Sequence, residues 1–208
     1  RRLKAILGFA KNHSEFYRGY AQAQRLEDFP VMNKSDYNQN FDRILCDEWQ
    51  EGGKKTYRLS TSGSTGAPFT VLCDGDKMDR INMNFISCME LNGFRMGMKR
   101  GEFRVWIEGK NTISRWKSLK NNLLMIDISN MGEDSLAKIC ERIRRQKIQV
   151  LVSYSSALTA LARYIREHQV DISRWDVEMI FSMGEALPDA TFDLLTEIFG
   201  FSPVRSYG

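Results

Sequence analysis

Histidine is almost missing from this sequence: His13 and His168 are the two it has in 208 residues. Cysteine is scarce too. Cys46, Cys73, Cys88 and Cys140 stand apart, with no pair at C-x-x-C spacing, so the ligand pattern of a structural zinc site is missing. Free thiols in a chain of this size suit a reducing cytosol, and a cytoplasmic location is expected. No apolar run approaches the length of a membrane span, and no signal peptide is visible, although the chain begins at Arg1 rather than Met. A large charge of one sign is also lacking. The net charge of +4 is spread among mixed signs and gives little reason to expect a polyanionic partner.

What is present is an ordinary globular composition, 42% hydrophobic, long enough for one large domain or two small ones. At the N-terminus, Leu3, Ile6, Leu7 and Ala10 recur at helical spacing. The segment His13–Arg18 breaks or redirects that helix, and His13 reads as a surface or packing residue because no partner is apparent. Pro30 disfavours helix at Phe29, and Asn33 is suited to cap a short helix running toward Phe41. Residues 1–55 are expected to form a helical lead-in, and 56–208 an α/β domain.

The densest chemistry lies in Ser60-Thr61-Ser62-Gly63-Ser64-Thr65-Gly66-Ala67-Pro68. Two runs that read as strands flank it, Tyr57–Leu59 and Phe69–Cys73, so the stretch is expected to turn a β-hairpin. Two glycines allow close backbone approach to a ligand, and successive N–H groups in such a loop form an anion-binding concavity. A flexible polar turn has the same composition. The stretch is not a Walker A loop, because no lysine follows Gly66 and a strand follows in place of a helix.

Beyond the hairpin, a helix is expected from Asp76 to Leu91, ended by Gly93 and Gly97. Its methionines suit either a deformable acyl pocket or a plain core. A strand is expected over Phe103–Ile107 and another over Leu123–Ile126. Between them Arg115, Lys117 and Lys120 surround Trp116 and Leu119. That pattern fits a solvated amphipathic helix better than a nucleic-acid surface. Leu136, Ile139, Cys140 and Ile143 mark a helix beginning near Glu133. Its cations Arg142, Arg144 and Arg145 fit the macrodipole of a last turn. Val150–Val152 and Val177–Phe181 read as buried strands, Leu158–Ile165 and the residues after Pro188 as helices, and Val204 as the start of a last strand. Such alternation predicts βαβ units in a parallel sheet with ligands at the carboxyl ends of its strands. Those ends carry Ser153-Tyr154-Ser155-Ser156, Ser182-Met183-Gly184-Glu185-Ala186-Leu187 and Ser206-Tyr207-Gly208.

Thr61–Pro68 resembles the T-S-G-[ST]-T-G-x-P phosphate loop of adenylate-forming enzymes, a superfamily that includes acyl-CoA synthetases, luciferase and peptide-synthetase adenylation domains. Many members have lysine where Ala67 stands. Gly184-Glu185-Ala186-Leu187 is similar to the G-E-x-L segment of phenylacetate–CoA ligase-like proteins, and Tyr207-Gly208 to the start of Y-G-x-x-E. The segment Tyr154–Leu158 resembles Y-P-S-A-L of that branch with Ser155 in place of proline, and the CapK-like proteins of capsular polysaccharide loci look most similar. The resemblance implies the N-terminal portion of a large α/β domain, with Thr61, Ser62, Gly63, Ser64, Thr65 and Gly66 binding phosphate. It implies Gly184, Glu185, Ala186, Ser206, Tyr207 and Gly208 around adenine, and Tyr154 and Ser155 beside the acyl group. ATP and Mg²⁺ are the implied cofactors, a small carboxylic acid the substrate, and CoA or another acceptor the acyl partner. Neither nucleic acid nor membrane is expected as a partner. The Mg²⁺ ligand, the ribose ligand and the catalytic lysine of relatives would lie beyond Gly208, so the chain alone is expected to be inactive and to hold no catalytic residue. The alternatives are a non-catalytic α/β nucleotide-binding or assembly module and, with less support, a P-loop-type phosphotransferase.

Overall fold

The structure, a computed structural model, describes residues 2–49, 56–60, 69–109 and 111–206. The chain divides into two compact units, Arg1–Phe85 and Ile86–Gly208.

In the first unit, α1 (Arg2–His13) ends where the sequence predicts a break, and Ser14 bridges antiparallel to Cys46 before α2 (Glu15–Arg18). The apolar stripe of α1 is not buried: Leu3 and Ile6 are 51% and 64% exposed. Asn33 caps α3 (Lys34–Gln39) by accepting from the Asp36 N–H at 3.0 Å, while the Asp36 carboxylate accepts from the Asn33 N–H. This reciprocal capping box satisfies two of the donors that a helix start leaves open. After α4 (Phe41–Ile44) come β1 (Thr56–Ser60) and β2 (Thr70–Asp74), paired antiparallel from Thr56↔Asp74 to Ser60↔Thr70. The expected hairpin is therefore formed. Its loop, Thr61–Pro68, lies outside the described residues.

The boundary between the units falls within α5 (Gly75–Glu90). That helix ends as predicted: Gly93 takes φ +101°, and the Phe94 N–H reaches back to the Met89 carbonyl at 3.0 Å. A left-handed residue there lets the chain turn back on the last carbonyls without steric cost.

The second unit is an α/β layer structure. Its strands are β3 (Arg100–Arg104), β4 (Leu123–Asp127), β5 (Val150–Tyr154), β6 (Met179–Met183) and β7 (Val204–Arg205), all parallel, in the order β4-β3-β5-β6-β7. The connecting helices are α6 (Arg115–Lys120), α7 (Glu133–Gln146), α8 (Ser155–Glu167) and α9 (Asp189–Phe199). Leu136, Ile139, Cys140 and Ile143 of α7 join Leu158, Leu161, Ala162 and Ile165 of α8 in one core with Phe103, Leu151 and Ile180 of the sheet. Full burial of each large aliphatic side chain contributes about 1.5–3 kcal/mol. Val150, Leu151 and Val152 are all fully buried, as a strand covered on both faces requires.

Two predicted strands are displaced: the one expected over Val177–Phe181 runs over Met179–Met183, and the shift at β3 is larger. The strand expected over Phe103–Ile107 runs over Arg100–Arg104, so Val105, Trp106 and Ile107 lie past its end. Side chains replace the ladder there. The Trp106 indole N–H donates to the Glu102 and Ile126 carbonyls at 3.2 and 3.1 Å, and its backbone N–H to Asp127 Oδ1 at 3.1 Å. Asn111 accepts from the Ile107 N–H and donates to the Val105 carbonyl. Local side-chain bonds of this kind compete directly with sheet pairing.

Candidate active site

Strand order locates the crevice. From β3 the chain passes through α6 to β4 on one side; from β5 it passes through α8 to β6 on the other. The connections leaving β3 and β5 thus diverge. Parallel α/β sheets bind ligands outside the carboxyl ends of strands at such a switch point. Here those ends are Arg104 and Tyr154, with Met183 and the Gly184 loop next to Tyr154 in register.

Arg104 belongs to a charged cluster that alternates along β3. Arg100, Glu102 and Arg104 share one face, opposite Phe103. Glu102 is buried at 7% exposure, and its carboxylate lies 3.0 Å from Arg100 and 3.4 Å from Arg104. Burial is the main cause that lowers the Arg100 pKa, and the Arg104 charge adds to it; Glu102 opposes both. The Glu102 carboxylate thus faces two guanidiniums. A buried carboxylate needs pairing of this kind. Arg104 is half-exposed, with a terminal nitrogen 3.9 Å from Met183 Sδ.

Behind Tyr154 a hydroxyl network ties β5, β6 and the following loop together. Ser155 Oγ donates to the Glu185 carbonyl at 3.0 Å and lies 2.8 Å from Ser182 Oγ. A hydroxyl has one hydrogen to give, so Ser182 is the donor in that pair. The Glu185 carboxylate accepts from the Ser156 N–H at 3.0 Å, at the start of α8, where the helix dipole favours an anion. Thr159 extends the network, donating to the Ser155 carbonyl and meeting Thr191 Oγ1 at 2.9 Å.

Gly184 shows why this loop contains glycine. Its φ is +75°, and a Cβ there would stand 2.8 Å from Tyr154 Cε1 and 2.9 Å from Cδ1. Backbone conformation and the Tyr154 ring both exclude a side chain. Gly184, Glu185 and Ala186 are exposed, with Leu187 buried beneath them. Ser206 follows β7 and continues its ladder, its N–H donating to the Ser182 carbonyl at 3.0 Å.

Of the residues singled out in the sequence, Tyr154, Ser155, Gly184, Glu185 and Ser206 are brought together around β5 and β6, with Ala186 next in the loop. Thr61, Ser62, Gly63, Ser64, Thr65, Gly66, Tyr207 and Gly208 lie outside the described residues. Sequence reading missed Arg104, because the strand expected over Phe103–Ile107 put it near the start of the strand and not at its carboxyl end. The signal was available in the R-x-E-x-R alternation of Arg100, Glu102 and Arg104. Among the described residues, no three His, Cys, Asp or Glu side chains are grouped to hold a metal ion. No described helix is long and apolar enough to cross a membrane.

No protein-family model matches the sequence. No curated protein matches it either. Solved structures share the fold. A 2-hydroxyisobutyryl-CoA ligase in an open conformation, in complex with 2-HIB-AMP and CoA, superposes with a TM-score of 0.69 at 20% identity, over 98% of this chain and 47% of that one. The same ligase in its thioesterification state gives a TM-score of 0.68 at 20% identity, over 96% of this chain and 46% of that one. The inhibitor-bound N-terminal domain of FACL13 from Mycobacterium tuberculosis gives 0.52 at 12% identity, over 92% and 48%. The α/β fold, with its five-stranded parallel sheet flanked by helices, is that of the N-terminal portion of adenylate-forming enzymes. The chain spans about half the length of the solved structures it matches.

Proposed function

We propose that the protein containing this chain activates a small carboxylic acid with ATP as an acyl- or aryl-adenylate and passes the acyl group to CoA or another acceptor. The observation that carries the reading is the β3/β5 switch point, the place where parallel α/β sheets bind ligands. There the half-exposed cation Arg104 and the ring of Tyr154 stand beside a glycine loop that admits no side chain. Structures of similar fold hold an acyl-adenylate and CoA, which supports the reading.

The groups present suit ATP. The Glu185 carboxylate is turned onto α8, so the exposed Gly184–Ala186 segment offers backbone N–H and C=O groups to the edge of a flat base. Tyr154 and Ser155 border that segment and form one wall of the acyl site in this proposal. The hairpin loop from Thr61 to Gly66 supplies N–H and hydroxyl donors to the phosphates, and Ser206, Tyr207 and Gly208 complete the adenine side. Mg²⁺, when bound, would neutralise phosphate charge.

The chain's own contribution is positional and electrostatic. A carboxylate is already a nucleophile, so attack on the α-phosphorus needs no general base; pyrophosphate leaves and the acyl phosphate bond forms. Two anions must be brought together, and the half-exposed guanidinium of Arg104 lowers the cost of placing the carboxylate. In this reading Arg104 orients the acid. The phenylacetate–CoA ligase and CapK-like branch is the proposed affiliation, which makes aromatic and short acyl acids the first substrates to try. A cytoplasmic setting, where ATP and CoA are available, is proposed with it.

The test is acid-dependent exchange of labelled pyrophosphate into ATP by the complete protein, with hydroxylamine trapping of the activated acyl group. Arg104→Gln is expected to raise KM for the acid about tenfold or more while leaving KM for ATP unchanged, the loss of one charge-assisted contact. Transfer of γ-phosphate to a substrate, without exchange, would favour a phosphotransferase instead.

A further inference from the structure

A pocket lies at the carboxyl end of β4, whose last residue, Asp127, pairs in register with Arg104. It has a volume of about 220 Å³ and is lined by Ile126, Asp127, Asn130, Ser135, Lys138 and, with Ile139, Arg142. Lys138 and Arg142 are four residues apart on α7 and so share a helix face. Like charges at that spacing repel. Among the described residues, neither has a carboxylate within 4.0 Å to offset the repulsion. Their neighbour on α7 behaves differently: Arg144 pairs with Glu141 at 2.8 Å. Arg142 is also half-buried, and burial is the first cause lowering its pKa, with the Arg145 charge second. An arginine remains charged under such conditions, so the pocket holds a cation that makes no direct ion pair.

Two further polar groups lining the pocket, Asn130 and Ser135, can donate. Asn130 uses its carbonyl oxygen to accept from the Gly132 N–H, which leaves its amide hydrogens for a ligand. The Ser135 hydroxyl has no hydrogen-bond partner among the described residues. The one acceptor group, Asp127, is already engaged at both oxygens, by the Trp106 N–H and by the Ser129 hydroxyl. Donors and positive charge thus exceed acceptors, a balance that suits an anionic ligand.

We propose that this pocket binds a small phosphomonoester, its phosphate held by Arg142, Lys138, Asn130 and Ser135, and its short hydroxylated body lying over Ile126 and Ile139. Planar guanidinium and amide donors suit phosphate oxygens. Each Asp127 oxygen retains a lone pair, enough to accept one ligand hydroxyl. The volume is below that of a drug-sized or nucleotide pocket. The site does not depend on the adenylation reading, and its occupancy is a separate property of the fold.

The test is an NMR titration of the ¹⁵N-labelled 208-residue chain with glycerol 3-phosphate, inorganic phosphate and chloride at constant ionic strength. Saturable shifts are expected at the amides of Asn130–Gly132 and Ser135–Arg142 and at the Asn130 side chain, with glycerol 3-phosphate binding tighter than phosphate. Lys138→Ala, at an exposed position, should weaken binding about tenfold with the remaining spectrum unchanged. Arg142→Lys, which keeps the charge but removes the fork, should weaken it as well. The hairpin-loop variant Gly63→Val should leave these shifts in place, which separates this pocket from any phosphate bound elsewhere. No saturation, equal response to chloride, or binding undiminished in Lys138→Ala would overturn the proposal.

Discussion

Replacing Gly184 with alanine tests the geometry of the candidate site in a way that can be taken apart. Two costs are expected. The left-handed conformation at φ +75° is unfavourable for a residue with a Cβ by about 1–2 kcal/mol. The new methyl would stand 2.8 Å from the Tyr154 ring. Forcing a ring aside in a packed setting adds about 1–3 kcal/mol. Together Gly184→Ala should cost about 2–5 kcal/mol, measured by urea unfolding with an unchanged m-value. The contributions separate in a double-mutant cycle. In a Tyr154→Ala background only the backbone cost remains, so the same substitution should cost about 1–2 kcal/mol. The coupling between the two sites is then the cost of the ring contact. Equal losses in both backgrounds would refute the claim that Tyr154 is packed against this glycine. A loss below about 0.5 kcal/mol would refute the conformational argument as well.

Ser155→Ala should destabilise by about 1–3 kcal/mol, because it strands the buried Ser182 hydroxyl and the Glu185 carbonyl, whereas Ser182→Ala should cost less. Chemical denaturation of the two single variants and the double variant should show non-additivity. In thiol labelling at pH 8, exposed Cys88 should react at least about a hundredfold faster than Cys140, whose burial pushes its pKa up to about 11; equal rates would contradict the packing of α7. The Ser129 hydroxyl first, then the Trp106 N–H, hold the Asp127 pKa below its usual value. A lowered folded value means a contribution that is present above the unfolded pKa of about 3.9 and lost as pH falls through the folded one. Asp127→Asn should therefore flatten the fall in stability below pH ~4, and an unchanged acid limb would count against it. Gly63→Val should impair ATP use in the complete protein with little change in melting temperature, since a side chain blocks close backbone approach to phosphate.

The elements legible in the sequence were those with strong periodicity or a fully apolar core. Leu136-Ile139-Cys140-Ile143 and Leu158-Leu161-Ala162-Ile165 became the buried faces of α7 and α8 because i, i+3, i+4, i+7 spacing leaves one solution. Val150–Val152 became a buried central strand for a similar reason. Asn33 was readable as a cap because the bond it makes is local. The end of β3 was not readable. Val105-Trp106-Ile107 has every strand preference, and what ends the ladder is the indole of Trp106 and the Asp127 carboxylate, the latter 21 residues away. The Ser155–Ser182 contact spans 27 residues and depends on β5 and β6 being neighbours. The cations of α7 read as a helix-end feature, yet Arg144 finds Glu141 while Arg142 lines a pocket with Lys138. Such distinctions depend on which face of the helix meets β4, and that is a tertiary fact.

The central claim is that the crevice at the β3/β5 switch point activates a carboxylic acid, and pyrophosphate exchange tests it most directly. The complete protein, ATP and labelled pyrophosphate would be incubated with a panel of aromatic and short acyl acids. Exchange into ATP that requires one class of acid, gives a hydroxamate with hydroxylamine and is lost in Arg104→Gln at low acid concentration is the predicted result. No exchange with any acid, by a protein shown to bind ATP, would contradict it.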